Sequence, residues 1–354
     1  MNNRFFLFAA GISALAIFGA TLATSQHAAA KNGSVNLYSY RQPFLIKPII
    51  DQFTSQTGIQ VNVVYAKRGM LERIKAEGPG GAADAVLTSD VGRLHDMVQA
   101  GVLESINSKT LNNNIPSHLR HPQGLWFGLT KRARILFVSK ERVKPGEIKS
   151  YEDLADPKLK GRICIRSGKH VYNISLFASM IAHKGKAEAK KWLVGLKNNL
   201  ARKPQGNDRA QAKAIFQGQC DIAIANTYYM GKMVTNKKKK SQQKWAQTIR
   251  ILFPNQDTRG THVNISGAAI IKDAKNKANA VKLIEFLSGD FAQKIYAEQN
   301  FEYPVKAGVK IHPIVKSWGA FKADKINLNK VAEQRGTASK LVDEVRLNFP
   351  GNGS

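Results

Sequence analysis

Three tyrosines in two short segments have the chemistry to bind a hard metal cation. Tyr172 lies in the segment Val171–Ser175, and Tyr228 and Tyr229 lie side by side in the segment Asn226–Gly231. A free phenol keeps its proton up to about pH 10, but a hard, highly charged cation displaces that proton and binds the phenolate oxygen. Three phenolates would balance the charge of Fe³⁺ with the oxygen ligands that such a cation prefers. The alternative is that all three are ordinary half-buried tyrosines.

Two cysteines connect these segments. Tyr172 follows Cys164 by eight residues. Tyr228 follows Cys220 by the same interval. In an oxidising compartment an even number of cysteines predicts a disulfide, which would close a loop of about 57 residues and let the three phenols converge. A buried pair of free thiols is the alternative, and a zinc site is disfavoured because neither cysteine belongs to a CxxC or Cys/His cluster.

The first thirty residues indicate the cellular compartment of the protein. Arg4 precedes an apolar run over residues 5–20, and three alanines at 28–30 form a small-residue cleavage site. This pattern predicts a cleaved signal peptide over residues 1–30 and a mature chain that begins at Lys31 in the periplasm. A membrane anchor is disfavoured, because the apolar run is shorter than the ~20 residues that a span requires.

A large excess of positive charge predicts an anionic partner. The 354 residues include 54 Lys and Arg against 25 Asp and Glu, a formal net charge of +29. Nucleic acid, a membrane surface and a small anion would all fit this charge. Export argues against nucleic acid, and the basic residues are scattered except for the run Lys237–Lys240. That run is interpreted as a solvated loop, with a docking patch as the alternative.

Strand and helix patterns alternate along the chain, which predicts an α/β fold with a mainly parallel sheet. The strand pattern at 34–39 precedes a helix that Pro43 opens and Gly58 closes. A strand pattern at 221–225 ends just before the tyrosine pair, at the edge where α/β sheets present their ligands. The sequence has no GxxxxGK[ST], GxGxxG, HExxH or GxSxG motif, so no enzyme is predicted.

At this point the sequence resembles the periplasmic ferric-ion-binding proteins, which are the solute receptors of ABC iron importers. The resemblance covers essentially the whole mature chain, and it is specific because eight blocks occur in order. These blocks are Tyr38–Pro43, Trp126–Arg134, Arg166–Gly168, Tyr172–Leu176, Asn199–Gly206, Asn226–Tyr229, Asn264–Gly267 and Glu302–Val305.

The resemblance implies a two-lobed class II binding-protein fold in which each lobe is a mainly parallel sheet flanked by helices. It places residues 31–130 and 258–307 in the N-terminal lobe. Residues 131–257 and 308–354 then form the C-terminal lobe. The family's function implies a non-enzymatic, monomeric receptor that captures Fe(III) in the periplasm and delivers it to an inner-membrane ABC permease.

The same resemblance implies that Tyr172, Tyr228 and Tyr229 are the metal ligands. Many members add a histidine from the stretch after the first strand, but this chain has Gln42 after Arg41 and lacks that histidine. The chain is therefore similar to the subgroup that uses three tyrosines and a synergistic carbonate.

In that subgroup the carbonate is held by arginines. The resemblance implies that Arg41 and Arg132 have this role here, with Arg134 as the alternative to Arg132. A planar guanidinium offers paired donors to a planar oxyanion, so this residue type suits the task. A surface ion pair for Arg41 and a solvated strand face for the other two are the alternative interpretations.

Considered without the resemblance, the residues leave other functions open. The arginines alone would suit a receptor for an oxyanion, and a receptor for an organic cation is a related possibility. A secreted α/β hydrolase would need a paired nucleophile and base. The adjacent Tyr228 and Tyr229 favour the ferric receptor, because an oxyanion receptor has no need of acidic phenols.

Overall fold

The computed structural model describes residues 33–349, so the predicted signal peptide at 1–30 lies outside the described residues. Ten strands in this part of the chain form a connected sheet. They are β1 (Ser34–Ser39), β2 (Gln60–Tyr65), β3 (Ala85–Thr88), β4 (Leu103–Glu104), β5 (Phe127–Ser139), β6 (Ile163–Cys164), β7 (Ile222–Asn226), β8 (Ile249–Leu252), β9 (Val263–Ile271) and β10 (Tyr303–Pro304).

Helices pack around this sheet. They are α1 (Pro43–Thr57), α2 (Met70–Glu77), α3 (Val91–Gln99), α4 (Lys109–Asn114), α5 (Val171–Asn198), α6 (Asp208–Phe216), α7 (Thr227–Val234), α8 (Lys240–Gln247), α9 (Lys277–Ser288), α10 (Asp290–Asn300), α11 (Pro313–Lys316), α12 (Leu328–Glu333) and α13 (Arg335–Glu344). None of the helices within residues 33–349 is long and apolar enough to cross a membrane. The predicted α/β class is confirmed. The prediction of a mainly parallel sheet is wrong, because parallel pairing among the strands of the described residues is confined to β1–β2, β1–β3 and β6–β7. The long central strands β5 and β9 pair antiparallel with their neighbours.

The sheet has parallel pairs at its two ends and antiparallel pairs in its middle. Strand β1 runs parallel to β2 and β3, and β6 runs parallel to β7. Strand β9 runs antiparallel to both β3 and β5. The first half of β5 pairs with β9, whereas its second half pairs with β7 and β8. One 13-residue strand therefore connects the two sets of shorter strands.

The first helix forms where the sequence predicts it. Pro43 occupies the first turn of α1, where its missing N–H leaves no hydrogen bond unmade. Gly58 ends the helix in the left-handed conformation, with a φ of 70°, and its N–H donates to the carbonyl of Thr54. The helix buries Ile46 and Phe53 against the sheet. This geometry fixes the direction of the short loop after β1, which carries Arg41.

Both tyrosine segments begin a helix. His170 caps α5, where its Nδ1 accepts a hydrogen bond from the backbone N–H of Tyr172 at 3.2 Å. The five residues of β7 are all buried, and α7 starts directly after them with Thr227. Tyr172 and the pair Tyr228–Tyr229 therefore stand in the first turns of two helices. The buried side chains of α5 and α7 pack into the hydrophobic core and so fix the position of both helices.

The predicted disulfide between Cys164 and Cys220 is confirmed, with 5.9 Å between the two Cα atoms. Cys164 lies on β6, whose partner β7 starts two residues after Cys220. Residues 164 and 220 are 56 positions apart, so the bridge closes a long loop that contains α5 and α6.

Replacing both cysteines, as Cys164→Ala/Cys220→Ala, is expected to lower the free energy of unfolding by about 4 kcal/mol. The physical reason is that the unbridged chain gains loop-closure entropy in the unfolded state. Urea unfolding of the variant and of the oxidised wild-type protein would measure the loss. Wild-type protein kept reduced by dithiothreitol throughout is the control, and it should unfold at about the same urea concentration as the variant. An unchanged midpoint in both would contradict the prediction.

Candidate metal centre

The structure brings the three predicted tyrosines into one cluster. The hydroxyl of Tyr228 donates to the hydroxyl oxygen of Tyr172, with 3.2 Å between the two oxygens. The ring of Tyr229 stacks on that of Tyr228, with 4.5 Å between the centroids and an interplanar angle of 27°. Two phenol oxygens at this separation lie within reach of a single cation. The third phenol, that of Tyr229, belongs to the same turn of α7 as Tyr228, whereas Tyr172 belongs to α5.

Two of the three phenols, Tyr228 and Tyr229, are held in the neutral form in the metal-free protein. Burial raises the pKa of Tyr228 well above its ordinary value, and the neighbouring Tyr172 and Tyr229 raise it further. Burial also raises the pKa of Tyr229, with a further increase from the charge of Asp208. A cation that binds here must therefore displace protons.

Positive charge surrounds the cluster. The guanidinium carbons of Arg132, Arg134 and Arg166 lie 5.4, 5.8 and 5.2 Å from the centroid of the Tyr172 ring. Distances of this size are typical of cation–π contacts. Arg209 lies 5.1 Å from the ring centroid of Tyr229. This field stabilises phenolates and any anion that accompanies a metal.

A fully buried carboxylate organises two of these arginines. Asp208 accepts hydrogen bonds from Nη1 of Arg134 at 2.8 Å and from Nη1 of Arg166 at 3.0 Å. It also accepts the backbone N–H of Asn226 at 2.8 Å, at the last residue before the tyrosine helix. Burial opposes the charge on Asp208, but Arg134 and Arg166 outweigh it and lower its pKa. Asp208 thus ties the start of α6 to the end of β7.

The two arginines of β5 have different surroundings. Both terminal nitrogens of Arg134 are engaged, since Nη2 donates to Asn173 at 2.6 Å and Nη1 donates to Asp208. Arg132 donates to the carbonyl of Ser89 through Nη2, while its Nη1 is buried without a partner. Arg132 also lines the cavity beside the tyrosines, whereas Arg134 does not. Arg132 therefore has the free donor that an anion would need.

A cavity of about 170 Å³ lies in front of Tyr172 and Tyr228. Tyr40 and Arg41, in the loop after β1, line its opposite side. Tyr40 adds a further phenol, and the guanidinium carbon of Arg93 lies 4.2 Å from its ring centroid. Residues far apart in the sequence thus enclose one small space next to the tyrosine cluster.

Arg41 already has a carboxylate partner. Its Nη2 donates to both carboxylate oxygens of Glu302, at 2.9 and 3.0 Å, and to Oγ of Ser266 at 2.6 Å. Burial opposes the charge on Arg41, but the charge of Glu302 outweighs it and raises the pKa of the guanidinium. An anion in the cavity would therefore share Arg41 with Glu302.

Among the ionisable residues that line this cavity, sequence reasoning did not assign a role to Tyr40, Lys232 and Glu302. Lys232 lies four positions after Tyr228 on α7, and that helical spacing could have identified it. Burial lowers the pKa of Lys232 to about 8. Glu302 stands in one of the eight blocks, but no sequence signal connects it to Arg41, which is 261 positions away.

A serine–histidine pair near the site lacks the features of a hydrolase. Oγ of Ser175 lies 2.9 Å from Nε2 of His262, and both residues are buried. Nδ1 of His262 has no hydrogen-bond partner, so no carboxylate orients the ring. Burial, followed by the charges of Arg134 and Arg132, lowers the pKa of His262 to about 3. A base that weak does not activate a serine near neutral pH.

Conventional metal-binding clusters are absent from residues 33–349, where no three His, Cys, Asp or Glu side chains come together. The profile of one family, described as bacterial extracellular solute-binding protein, matches residues 83–323.

The chain belongs to the bacterial extracellular solute-binding proteins. Among curated proteins, it is 44% identical to Iron uptake protein A1 of Synechocystis over 311 residues, which is 88% of this chain and 86% of the relative. It is 26% identical to the Major ferric iron-binding protein of Neisseria meningitidis, over 88% of this chain and 93% of that one.

Solved structures of similar solute-binding proteins agree with this assignment. Ferric iron-binding protein A of Mannheimia haemolytica, in an open conformation, has a TM-score of 0.84 at 51% identity, over 89% of this chain and 99% of that one. The Trichodesmium protein in complex with iron and citrate has a TM-score of 0.85 at 45% identity, over 88% and 99%. The resemblance to ferric-ion-binding proteins and the two-lobed class II fold are confirmed, and these relatives are transport proteins rather than enzymes.

Proposed function

We propose that this protein is a periplasmic receptor that binds Fe(III) through the phenolates of Tyr172, Tyr228 and Tyr229 and delivers it to an ABC permease. The observation that carries the proposal is the 3.2 Å separation of the Tyr172 and Tyr228 hydroxyl oxygens, with Tyr229 stacked beside them. Relatives named as ferric-binding and iron uptake proteins support it. Membership of an extracellular family supports the periplasmic location.

A small anion, which we propose is carbonate, completes the metal's coordination. Bidentate carbonate would add two oxygens to three phenolates and bring the charge of the site to −2. Arg132, with its unpartnered Nη1, is the proposed anion-binding residue. Arg41 faces the same cavity as a second contact, but Glu302 already neutralises its charge. Lys232 lines the cavity without an ion pair, whereas Nη2 of Arg132 lies 3.8 Å from the buried carboxylate of Asp90, so Lys232 supplies the uncompensated positive charge beside the anion.

The lobes are proposed to divide as the resemblance implies, at 31–130 with 258–307 and at 131–257 with 308–354. The switch of β5 from β9 to β7 supports a crossing near Thr130–Arg132. In the C-terminal tail, α13 packs against α5, and Lys169 bonds to Asp343 of α13. All three tyrosines would then lie on the C-terminal lobe, so iron binds there first and the loop of Arg41 closes over it.

Addition of Fe(III) with bicarbonate to the mature protein tests this proposal. We expect a visible tyrosinate-to-iron charge-transfer band. Arg132→Ala should weaken iron binding by about 10- to 100-fold and make it insensitive to bicarbonate, because the anion contact is lost.

A second variant separates the roles of the two sides of the cavity. Arg41→Ala combined with Glu302→Gln removes both members of the buried ion pair, so neither charge is left unpaired. This variant should keep the charge-transfer band, because every proposed protein ligand remains. Complete loss of iron binding in it would contradict binding to the C-terminal lobe.

Acid is expected to release the iron. The raised pKa of Tyr228 and Tyr229 keeps these phenols protonated when the site is empty, so each must lose a proton when the metal binds. The affinity should therefore fall by about tenfold per pH unit for each phenol displaced, as the pH decreases from about 10. Competition with a chelator, measured at several pH values and fixed bicarbonate, would give the slope. A flat profile between pH 8 and pH 5 would contradict phenolate binding.

A further inference from the structure

The strongest concentration of charge outside the metal centre lies just beyond the tyrosine helix. Between residues 222 and 256 the chain has no Asp or Glu, while it has six lysines and an arginine. Five of these lysines form what we call the lysine patch: Lys237, Lys238, Lys239, Lys240 and Lys244. The run connects α7 to α8, and Lys240 and Lys244 lie one turn apart on α8.

The side chains of the lysine patch are accessible to a binding partner. All five of its lysines are exposed, and none forms an ion pair with a carboxylate. Asp208 on the adjacent helix α6 is fully buried and bonded to two arginines. Asp221, before β7, is paired with Arg142 and Arg162. These two carboxylates, which precede the patch in the chain, are therefore already engaged and do not compensate its charge.

The backbone of the run is fixed even though its side chains are free. Oδ1 of Asn236 accepts the backbone N–H groups of Lys238 and Lys239, at 3.1 and 3.0 Å. Nδ2 of Asn236 donates to Gln242 at 3.1 Å, and Gln242 is buried. An Asn that bonds to the backbone two and three residues ahead defines a tight turn. The lysines are thus presented from an ordered turn and not from a loose linker.

We propose that the lysine patch is a docking surface for the anionic headgroups of a phospholipid bilayer. A cluster of four to eight basic residues is typical of binding to anionic lipid. Lysine is depleted at protein–protein interfaces, where aromatic residues and arginine are enriched, so a patch made of lysine alone favours lipid over an acidic protein. The net charge of +29 for the whole chain acts in the same direction.

This inference goes beyond the proposed function, because lipid binding through the patch does not require iron. It does connect to that function through α7, which carries Tyr228, Tyr229 and Lys232 and ends at Val234, three residues before the patch. Docking through the patch would orient the tyrosine helix toward the membrane, where a permease would receive the cargo.

Co-sedimentation of the mature, iron-free protein with vesicles tests the proposal. Binding to vesicles that contain phosphatidylglycerol is expected, with no binding to phosphatidylcholine alone and a steep decrease as salt is added. Each lysine near such a surface contributes about fivefold in binding. Replacement of all five patch lysines by Gln should therefore reduce binding by at least about tenfold.

A matched control removes the same charge elsewhere. Its five lysines are exposed, lie on separate elements and form no ion pair; they are Lys67, Lys109, Lys282, Lys310 and Lys330, each replaced by Gln. This variant should lose no more than about twofold in vesicle binding. Equal losses in the two variants would overturn the proposal, because binding would then follow the overall charge.

Two further results would also overturn it. One is the absence of binding to anionic vesicles at low salt, and the other is binding of the patch to soluble polyglutamate in preference to vesicles. Both variants should still develop the iron-dependent colour. A failure of the iron assay is therefore distinguishable from a failure of lipid docking.

Discussion

Replacing Tyr228 and Tyr229 together by phenylalanine is expected to abolish the charge-transfer colour that Fe(III) and bicarbonate produce. Two of the three proposed phenolate ligands disappear, while the stacked rings keep their shape and packing. The loss of iron affinity should exceed the roughly 10- to 100-fold that removal of an outer partner of a metal site costs. Titration of the variant with Fe(III), followed by visible absorption and by competition with a chelator, would measure it.

Tyr303→Phe is the matched control for this experiment. Its hydroxyl is buried without a hydrogen-bond partner, and its ring packs against Phe321. The control should therefore keep the full colour and a native unfolding transition. An unchanged band in Tyr228→Phe/Tyr229→Phe would show that other groups hold the metal.

Asp208→Ala is expected to lower the free energy of unfolding by about 3–5 kcal/mol. Removal of one partner of a buried ion pair leaves the other charges in the interior without compensation, and here two arginines lose their shared carboxylate. The backbone N–H of Asn226 also loses its acceptor. Urea unfolding at neutral pH would measure the effect, and iron titration should show a weaker band, because Arg134 and Arg166 flank Tyr172.

Asp221 provides a control of the same chemistry near the surface. Its carboxylate also bridges two arginines, Arg142 at 2.6 Å and Arg162 at 2.7 Å, but all three side chains are partly exposed. Asp221→Ala should therefore cost about 1 kcal/mol or less. Equal losses for the two variants would contradict a special role of burial at Asp208.

The same carboxylate predicts how stability depends on pH. Because Arg134 and Arg166 lower the pKa of Asp208 in the folded protein, the contribution of this group is present above the unfolded value of about 3.9 and is lost in stronger acid. Acid release of iron, in contrast, depends on protonation of the phenolates, and it is expected at pH values well above about 3.9. The two effects can therefore be measured separately.

The sequence predicts the parts of this molecule that depend on local chemistry. Pro43 and Gly58 mark the ends of α1 because a helix start tolerates the missing N–H and a helix end needs a left-handed residue. The even number of cysteines predicts the disulfide between Cys164 and Cys220. The equal sequence intervals from these cysteines to Tyr172 and Tyr228 predict that the tyrosines lie close together.

The parts that sequence reasoning missed depend on contacts between distant segments. Nothing near Arg41 indicates that Glu302 will neutralise it, since the two meet after the chain has crossed the sheet several times. The antiparallel pairing of β5 and β9 was likewise not predicted. These two strands are far apart in the sequence, and local hydrophobic periodicity does not indicate which strands will pair or in which direction. Lys232 could have been predicted from the sequence, because it follows Tyr228 by one helical turn.

The exchange of protons for metal at the tyrosine cluster has an electrical consequence for the proposed receptor. If three phenols each release a proton when Fe³⁺ binds, the exchange leaves the charge of the tyrosine cluster unchanged. The filled and empty receptors would then differ by no more than the charge of the accompanying anion. Loss of residues 1–30 would remove only one charged side chain, Arg4, and lower the net charge from +29 to +28, and the difference is small against that total. A transporter that must tell the two forms apart would therefore gain little from their total charge and would recognise their shape.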